Sequence, residues 1–235
     1  VTGPLTLTEH WVQQHTVTFN STGGSPTPSA VTVDTGAKIT APSPEPTKLG
    51  EHFLGWFTPA DVEFDFSNDT ITSDTALSAR WGTNVYDVTF DAQGGSPAPA
   101  AQHIAYNGKA TAPSLAPTKT GYHFDGWFES GTTAPFDFTT TPISQDTALT
   151  AKWTINTYTV DFDANGGSSS IPSESVNHGD TVALPFDTPT RTGYTFVGWF
   201  TDTNATNDFS FNTPITGDTT VHAGWSINYY TVTFD

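Results

Sequence analysis

The segment PTRTGYTFVGWF at residues 189–200 decides the fold of this protein. Aromatic residues alternate with other residues from Tyr194 to Phe200, and this period of two predicts a β-strand with an aromatic face. Closely similar segments occur earlier in the chain, as PTKLGEHFLGWF at 46–57 and PTKTGYHFDGWF at 117–128. The chain is therefore built from copies of one strand-rich unit.

Two further segments repeat in step with the first. The opening segment is HTVTFN at 15–20, YDVTFD at 86–91, YTVDFD at 158–163 and YTVTFD at 230–235. The closing segment is DTALSARW at 74–81, DTALTAKW at 146–153 and DTTVHAGW at 218–225. The closing tryptophans are 72 residues apart, a length at which a small domain can close its own hydrophobic core.

This spacing divides the chain into three complete repeats with a partial repeat at each end. Residues 1–14 are expected to be the closing strand of a preceding repeat, because LTLTEHW at 5–11 resembles the closing segment. The complete repeats are residues 15–82, 83–154 and 155–226, and residues 227–235 are expected to be the opening strand of a further repeat. We therefore expect a longer native array.

Composition and charge exclude several classes of function. The chain has 24 acidic and 7 basic residues and a net charge of −17, which argues against binding to nucleic acid or to anionic membrane surfaces. It contains no cysteine, so disulfides and thiolate metal sites are excluded. No apolar run is long enough for membrane insertion in this segment.

The order of strand and turn signals predicts a mainly β fold. Gly-Gly pairs follow the opening segments and are typical of tight turns. No segment has a helical period, and any helix is limited to a short turn near ALPFDTP at 183–189. The fold class is thus mainly β, or α+β at most.

The chain resembles the Listeria–Bacteroides repeat, also called the internalin B-type repeat, in four features. These are the opening Y-x-V-x-F-D, the Gly-Gly turn, the block P-T-[KR]-x-G-Y-x-F-x-G-W-F and the closing D-T-x-L-x-A-x-W. The first repeat departs from the pattern at Asn20 and at Glu51-His52. The resemblance implies three tandem β-grasp (ubiquitin-like) modules in an elongated array, extracellular and at the surface of a Gram-positive bacterium. Anchoring to the cell wall or membrane would be through regions outside this chain.

The aromatic strand holds the first candidate site. On strict alternation, Trp56, Trp127 and Trp199 lie on the face opposite to the phenylalanines. That face also carries Leu54 or Val197, so we expect the tryptophans to be partly buried there. Core packing is favoured over ligand stacking, but a ligand or a neighbouring module remains a candidate partner of each tryptophan.

The junctions between repeats are the second candidate site. Four residues separate each closing tryptophan from the next opening segment, without proline or a flexible Gly-Ser run. Apolar residues recur at or near the same place, and we expect them to pack at the module boundary and restrict bending: Val85, Ile155 and Ile227. The neighbouring repeats of the same chain are thus expected partners.

Charged residues give no sign of catalysis or metal binding. Lys48, Lys119 and Arg191 occupy equivalent positions and are expected to pair with a nearby aspartate of the same repeat or with the neighbouring repeat. The third repeat has no lysine, which excludes a repeated isopeptide crosslink. The acidic loops at 61–69 and 202–208 do not have EF-hand spacing. No nucleophile motif is present, and we expect no catalytic residue, no metal and no cofactor.

These observations predict a non-enzymatic structural spacer or stalk of a bacterial surface protein or adhesin, which displays a distal domain. The alternative is a set of multivalent binding modules, each with a weak site for a host extracellular protein or glycan. In both cases the segment is expected to be monomeric.

Overall fold

The computed structural model describes residues 9–168 and 171–234, and the description below is confined to them. Within these ranges every regular element is a β-strand, and residues 183–189 contain no helix. The mainly β prediction is therefore confirmed. The strands are β1 (Gln14–Asn20), β2 (Val31–Asp34), β3 (Glu51–Phe57), β4 (Thr75–Thr83), β5 (Val85–Asp91), β6 (Gln102–Ala105), β7 (Tyr122–Glu129), β8 (Thr147–Ile155), β9 (Thr157–Asp163), β10 (Glu174–Asn177), β11 (Tyr194–Phe200) and β12 (Thr219–Ile227).

Each repeat forms a four-stranded mixed sheet with the same strand order. The orders are β2-β1-β4-β3, β6-β5-β8-β7 and β10-β9-β12-β11. In the first sheet β1 and β4 are parallel, from Val17 opposite Thr75 to Asn20 opposite Ser78. In the third sheet β9 and β12 are parallel in the same way. Antiparallel neighbours flank this central pair on both sides.

An aspartate before each closing strand holds the central strands together. In the first repeat, Asp74 Oδ1 accepts the backbone N–H of Thr16 at 2.8 Å. The equivalent Asp146 and Asp218 accept from the opening strands of their own repeats, each at 2.9 Å. Each of these bonds joins residues that are nearly sixty positions apart in the sequence.

The core lies on one face of each sheet. In the first repeat Val17, Leu77 and Ile71 are almost fully buried and form its centre, with Trp56 beside them. The third repeat has the equivalent cluster around Val160, Val221 and Ile215. Each of these two repeats therefore closes a core with its own residues.

A β-bulge in the aromatic strand places the tryptophan on the core side. Phe53 pairs with Trp81 and Gly55 pairs with Arg80, so Leu54 is an extra residue on β3. Gly55 has φ +129°, a conformation that glycine adopts without steric penalty. The prediction that Trp56 and Phe53 lie on opposite faces was wrong, because the extra residue between them shifts the alternation by one position.

The shift also moves the last phenylalanine of the strand to the opposite face. There Arg80 lies 5.6 Å from the ring centroid of Phe57, and Lys152 lies 4.1 Å from that of Phe128. In the third repeat the equivalent position is Gly224, where a Cβ atom would stand 2.1 Å from the ring of Phe200. A long cationic side chain thus lies over this ring in the first two repeats, whereas in the third repeat the ring packs directly against a glycine.

The predicted Gly-Gly turns end the opening strands. In the third repeat Asp163 Oδ1 accepts the N–H of Asn165 at 2.8 Å, and Asn165 and Gly166 both have positive φ. A Cβ atom on the second glycine, Gly167, would lie 2.4 Å from the indole of Trp225. The turn therefore packs directly against the closing tryptophan.

The two terminal segments contain no strand where the structure describes them. Residues 9–13 precede β1 without regular structure, and Trp11 is 86% exposed. Residues 1–8 of the expected closing strand lie outside the described residues. Residues 228–234 are also outside the sheets. The assignment of both ends to further repeats stays a prediction.

Candidate functional site

A single residue links each sheet to the next. Strand β4 ends at Thr83 and β5 begins at Val85, which leaves only Asn84 between them. Strand β8 ends at Ile155 and β9 begins at Thr157, which leaves only Asn156. Because a peptide unit has two soft dihedral angles per residue, a linker of this length has very little freedom of its own.

The backbone of the linker residue is bonded on both sides. In the first junction, the N–H of Asn84 donates to the carbonyl of Gly50 in repeat 1 at 2.9 Å. The carbonyl of Asn84 accepts the N–H of Tyr106 in repeat 2 at 2.8 Å. One residue thus joins the two repeats through both of its backbone polar groups.

The second junction repeats this arrangement with different side chains. The N–H of Asn156 donates to the carbonyl of Gly121 at 2.9 Å, and its carbonyl accepts the N–H of His178 at 2.8 Å. The two junctions therefore have the same backbone geometry, although a histidine replaces the tyrosine.

Each junction seats an aromatic ring on a glycine. Gly50 has φ +74°, and a Cβ atom there would stand 1.9 Å from the ring of Tyr106. Gly121 has φ +79°, and its Cβ atom would stand 2.1 Å from the ring of His178. Both the backbone conformation and the contact require glycine at these two positions.

Neighbouring side chains complete each junction. Asn84 Oδ1 lies 3.1 Å from His52 Nδ1, and the rings of Tyr86 and Tyr106 meet edge to face with centroids 6.5 Å apart. At the second junction the rings of Tyr158 and His178 lie 5.9 Å apart. The Nδ1 atom of His178 is buried without a hydrogen-bond partner among the described residues.

The third repeat presents the same site without a ring. The N–H of Asn228 donates to the carbonyl of Gly193 at 2.8 Å, and Gly193 has φ +79°. Nothing in the described part of the chain lies within 4 Å of where its Cβ atom would be. At the other end, Gln13 has the linker position, because its carbonyl accepts the N–H of Thr35 at 2.8 Å.

The apolar residues predicted to form the boundary flank the linkers instead. Val85 and Ile227 are 58% and 50% exposed, and Ile155 is half-buried. The residues that form the contacts are Asn84, Asn156 and their glycines, which the sequence reasoning did not select. The signal was present, since an asparagine follows the closing tryptophan by three residues in all three repeats.

The three strand tryptophans lie in the cores of their own repeats. Trp56, Trp127 and Trp199 are 3%, 5% and 5% exposed. Trp56 contacts Phe19 and Phe53 edge to face, with centroids 5.0 and 5.6 Å away. The expected partly buried tryptophan face is therefore corrected: these indoles are covered by their own repeats, not by a neighbour or a ligand.

The equivalent cations have aromatic partners more often than carboxylate partners. Lys48 Nζ lies 3.0 Å from Glu51, the one pairing of the predicted kind, although the partner is a glutamate. Lys119 Nζ stands 4.5 Å from the ring centroid of Tyr122, and the guanidinium of Arg191 stands 4.0 Å from that of Tyr194. The expected pairing with aspartate is not observed in the described residues.

Carboxylates with lowered pKa values cap loops. The pKa of Asp137 is lowered to about 2, because its oxygens accept hydrogen bonds from Thr139 and Thr140. The pKa of Asp163 is lowered first by the backbone N–H of Asn165 and next by the side chain of His222. Within residues 9–168 and 171–234 we find no cluster of three or more residues suited to hold a metal ion.

The chain has relatives among known proteins. Two proteins of Evansella cellulosilytica, provisionally described as a membrane protein and a Gly-rich membrane protein, are each 36% identical to this chain, over 236 and 238 residues. These matches cover 98% and 99% of the chain but 35% and 27% of the two relatives. Internalin H of Listeria monocytogenes is 36% identical over 117 residues, which are 48% of this chain and 21% of that protein.

The chain thus spans about a third or less of the length of these relatives. No helix in the described residues has the length and apolarity to cross a membrane. The sequence profile of the Listeria-Bacteroides repeat domain matches residues 15–80, 86–152 and 158–224, one match for each sheet. Because these matches cover most of the chain and confirm the resemblance seen in its motifs, the chain belongs to the Listeria-Bacteroides repeat domain family.

Proposed function

We propose that the chain is a non-enzymatic spacer segment of a bacterial surface protein, which holds a distal domain away from the cell envelope. The observation that carries this proposal is the one-residue linker, whose N–H and carbonyl are bonded to the repeats on either side. The surface location is supported by the family and by the names of the relatives, two of which are described as membrane proteins and one as an internalin.

A spacer must resist bending at its junctions, and the contacts around Asn156 favour this property. A hinge motion there would break the bonds to Gly121 and His178 and lift the imidazole off the glycine. Each backbone hydrogen bond contributes about 0.5–1.5 kcal/mol net, and the ring contact adds to that. The junction is therefore expected to open rarely on the timescale at which independent domains reorient.

The repeats also suit this role individually. The first and third close a core with their own residues, so copies can be added without new contacts between distant parts of the chain. A net charge of −17 disfavours collapse of one repeat onto another. We also propose that each repeat is a β-grasp module, on the basis of its strand order and central parallel pair.

Nuclear magnetic resonance relaxation of the backbone tests the spacer proposal directly. We expect the amides of Asn84 and Asn156 to have order parameters near those of rigid strands, about 0.85, and the repeats to share one rotational diffusion tensor. A variant with the four residues Gly-Ser-Gly-Ser inserted after Asn156 serves as the control, and in that variant repeat 3 should reorient independently. If the repeats of the unmodified chain already tumble independently, the spacer proposal fails.

A further inference from the structure

The third repeat contains a groove that no function has yet accounted for. It has a volume of about 880 Å³ and lies between the Gly-Gly turn, the segment 189–195 and the closing tryptophan. Its chemically distinctive lining residues are Arg191, Tyr194, Ser168, Thr192 and Trp225. We propose that this groove binds a carboxylated sugar, with the carboxylate on Arg191 and the sugar ring beside the aromatic residues.

The charge of Arg191 is unusual in its surroundings. It is the only lysine or arginine between residues 155 and 226, in a chain of net charge −17. Among the described residues no carboxylate pairs with it. Its guanidinium lies over the ring of Tyr194 with the Cζ atom 4.0 Å from the ring centroid, and among the described residues it donates one hydrogen bond, to the carbonyl of Asn165 at 3.4 Å.

Stacking fixes the guanidinium and leaves its N–H edge for a ligand. A guanidinium has five N–H donors in one plane, which match the two oxygens of a carboxylate. The ring of Tyr194 holds the guanidinium by a cation–π contact, and the long hydrogen bond to Asn165 uses one of the donors. Arg191 is therefore oriented in advance for an anion with two coplanar oxygens.

The remaining lining residues favour a sugar over a bare anion. The side chains of Ser168 and Thr192 offer hydroxyl groups that donate and accept hydrogen bonds, as sugar hydroxyls require. The half-buried indole of Trp225 offers an apolar surface for the C–H groups of a pyranose ring. The volume falls within the range of about 300–1,000 Å³ that is typical of small-molecule sites.

The first repeat supplies an internal comparison. There the position of Tyr194 is taken by Glu51, whose carboxylate lies 3.0 Å from Lys48. In the first repeat a carboxylate of the protein thus occupies the cation. In the third repeat the equivalent cation, Arg191, is left for a ligand. In the second repeat Lys119 stands over Tyr122 and donates to the carbonyl of Gln93, and no carboxylate of the described residues pairs with it. We therefore infer a second, weaker site there.

Titration of the ¹⁵N-labelled full chain with glucuronic acid tests the proposal. We expect chemical-shift changes at the amides of residues 166–168 and 191–195 and at the indole N–H of Trp225, with smaller changes around Lys119 and none around Lys48. Glucose should bind at least about tenfold more weakly, because it lacks the charge that Arg191 recognises. Equal responses to glucose and glucuronic acid would overturn the proposal. Chemical-shift changes with inorganic phosphate as large as those with glucuronic acid would also overturn it, because they would show an anion site without sugar recognition.

Two variants locate the site, and a third controls for charge. Arg191→Gln should weaken glucuronic acid binding at repeat 3 by about tenfold or more. Tyr194→Glu, which copies the arrangement of the first repeat, should have a similar effect. Lys109→Gln removes a cation that does not line the groove and whose Nζ donates to the carbonyl of Thr139, and it should leave binding unchanged. The spectrum of each variant shows whether it is folded, and wild-type affinity in folded Arg191→Gln and Tyr194→Glu would contradict the proposal.

Discussion

The junction around Gly121 and the equivalent site around Gly193 differ in what a following repeat supplies, which at Gly121 is the ring of His178 and the bond from its N–H to the Asn156 carbonyl. Both glycines have φ +79°, and both accept the N–H of an asparagine, at 2.9 and 2.8 Å. At Gly121 the ring of His178 covers the position of a Cβ atom, whereas at Gly193 that position is open in the described structure. The linker bond is therefore made by the preceding repeat without help from the ring.

This difference separates two roles in the junction. The bond from the asparagine N–H sets the direction in which the chain leaves a repeat, and it is present with or without a following sheet. The ring and the bond to the asparagine carbonyl then attach the next repeat in that direction. The account predicts that changes to the ring contact uncouple the repeats without unfolding the preceding one.

The largest expected effect comes from alanine at the two glycines. Gly193→Ala should destabilise repeat 3 by about 1–2 kcal/mol, because alanine is strained at positive φ. Gly121→Ala has the same strain and also drives a methyl group into His178, which adds about 1–3 kcal/mol. Urea unfolding, followed by the signals of each repeat, measures both changes. Equal losses of unfolding free energy in the two variants would show that the ring contact does not stabilise the junction.

Removing the linker donor should have a smaller effect. Asn156→Pro removes the N–H that bonds Gly121 and leaves that carbonyl without its partner, at a cost of about 1–3 kcal/mol. We expect repeat 3 to reorient faster than repeat 2 in relaxation measurements. The matched variant Asn228→Pro breaks the equivalent bond to Gly193. It should leave the coupling between repeats 2 and 3 unchanged, and a similar loss of coupling in both variants would count against the account.

The nature of the ring should matter less than its presence. His178→Ala removes the ring from Gly121 and should raise the exchange rate of the Asn156 amide about tenfold or more, since about 1.4 kcal/mol of contact corresponds to that factor. His178→Phe keeps a ring and removes the buried Nδ1 that has no partner among the described residues. In this variant the Asn156 amide should therefore exchange at or below the wild-type rate. If both variants exchange alike, the ring contact does not hold the junction.

The smallest expected effect is that of acid, and it should spare the junctions. Three of the carboxylates with lowered pKa values lie in loops, Asp65, Asp137 and Asp202, and the fourth, Asp163, is the last residue of β9. Because their folded pKa values are depressed, their stabilisation is complete above the unfolded pKa of about 3.9 and is lost as the pH falls through the folded values. For Asp137 the loss therefore runs from about pH 3.9 down to about pH 2. Amide exchange at pH 5 and pH 3 should show loosening in these loops before it shows loosening at Asn84 or Asn156.

The sequence predicted the strands and the repeats well because both depend on local patterns. Alternation, Gly-Gly turns and the 72-residue spacing can each be read within one copy or between copies. The bulge at Gly198 was missed, since a single extra residue leaves the aromatic pattern intact and changes only which face Trp199 occupies. Such a register shift depends on the partner strand, which the sequence does not identify.

The junction and the groove were harder to predict for a different reason. The contacts of Asn156 join Gly121 and His178, which are 35 and 22 residues away in the sequence, and each of these residues is unremarkable alone. Their proximity can be recognised only in the folded structure, where the sheets bring them together. The cation of the groove was identified from the sequence, but its stacking on Tyr194 depends on a turn that alternation does not describe.

Native-state hydrogen exchange of the amides of Asn156 and Asn228 in one unmodified chain tests the central claim most directly. Both amides donate to a glycine carbonyl at nearly the same distance, but the first belongs to a junction with a seated ring and the second does not. We predict that Asn156 exchanges at least about tenfold more slowly than Asn228, that Asn84 behaves like Asn156, and that the difference shrinks in His178→Ala. Equal protection of Asn156 and Asn228 would contradict the account, because the ring on glycine would then contribute nothing to holding the repeats together.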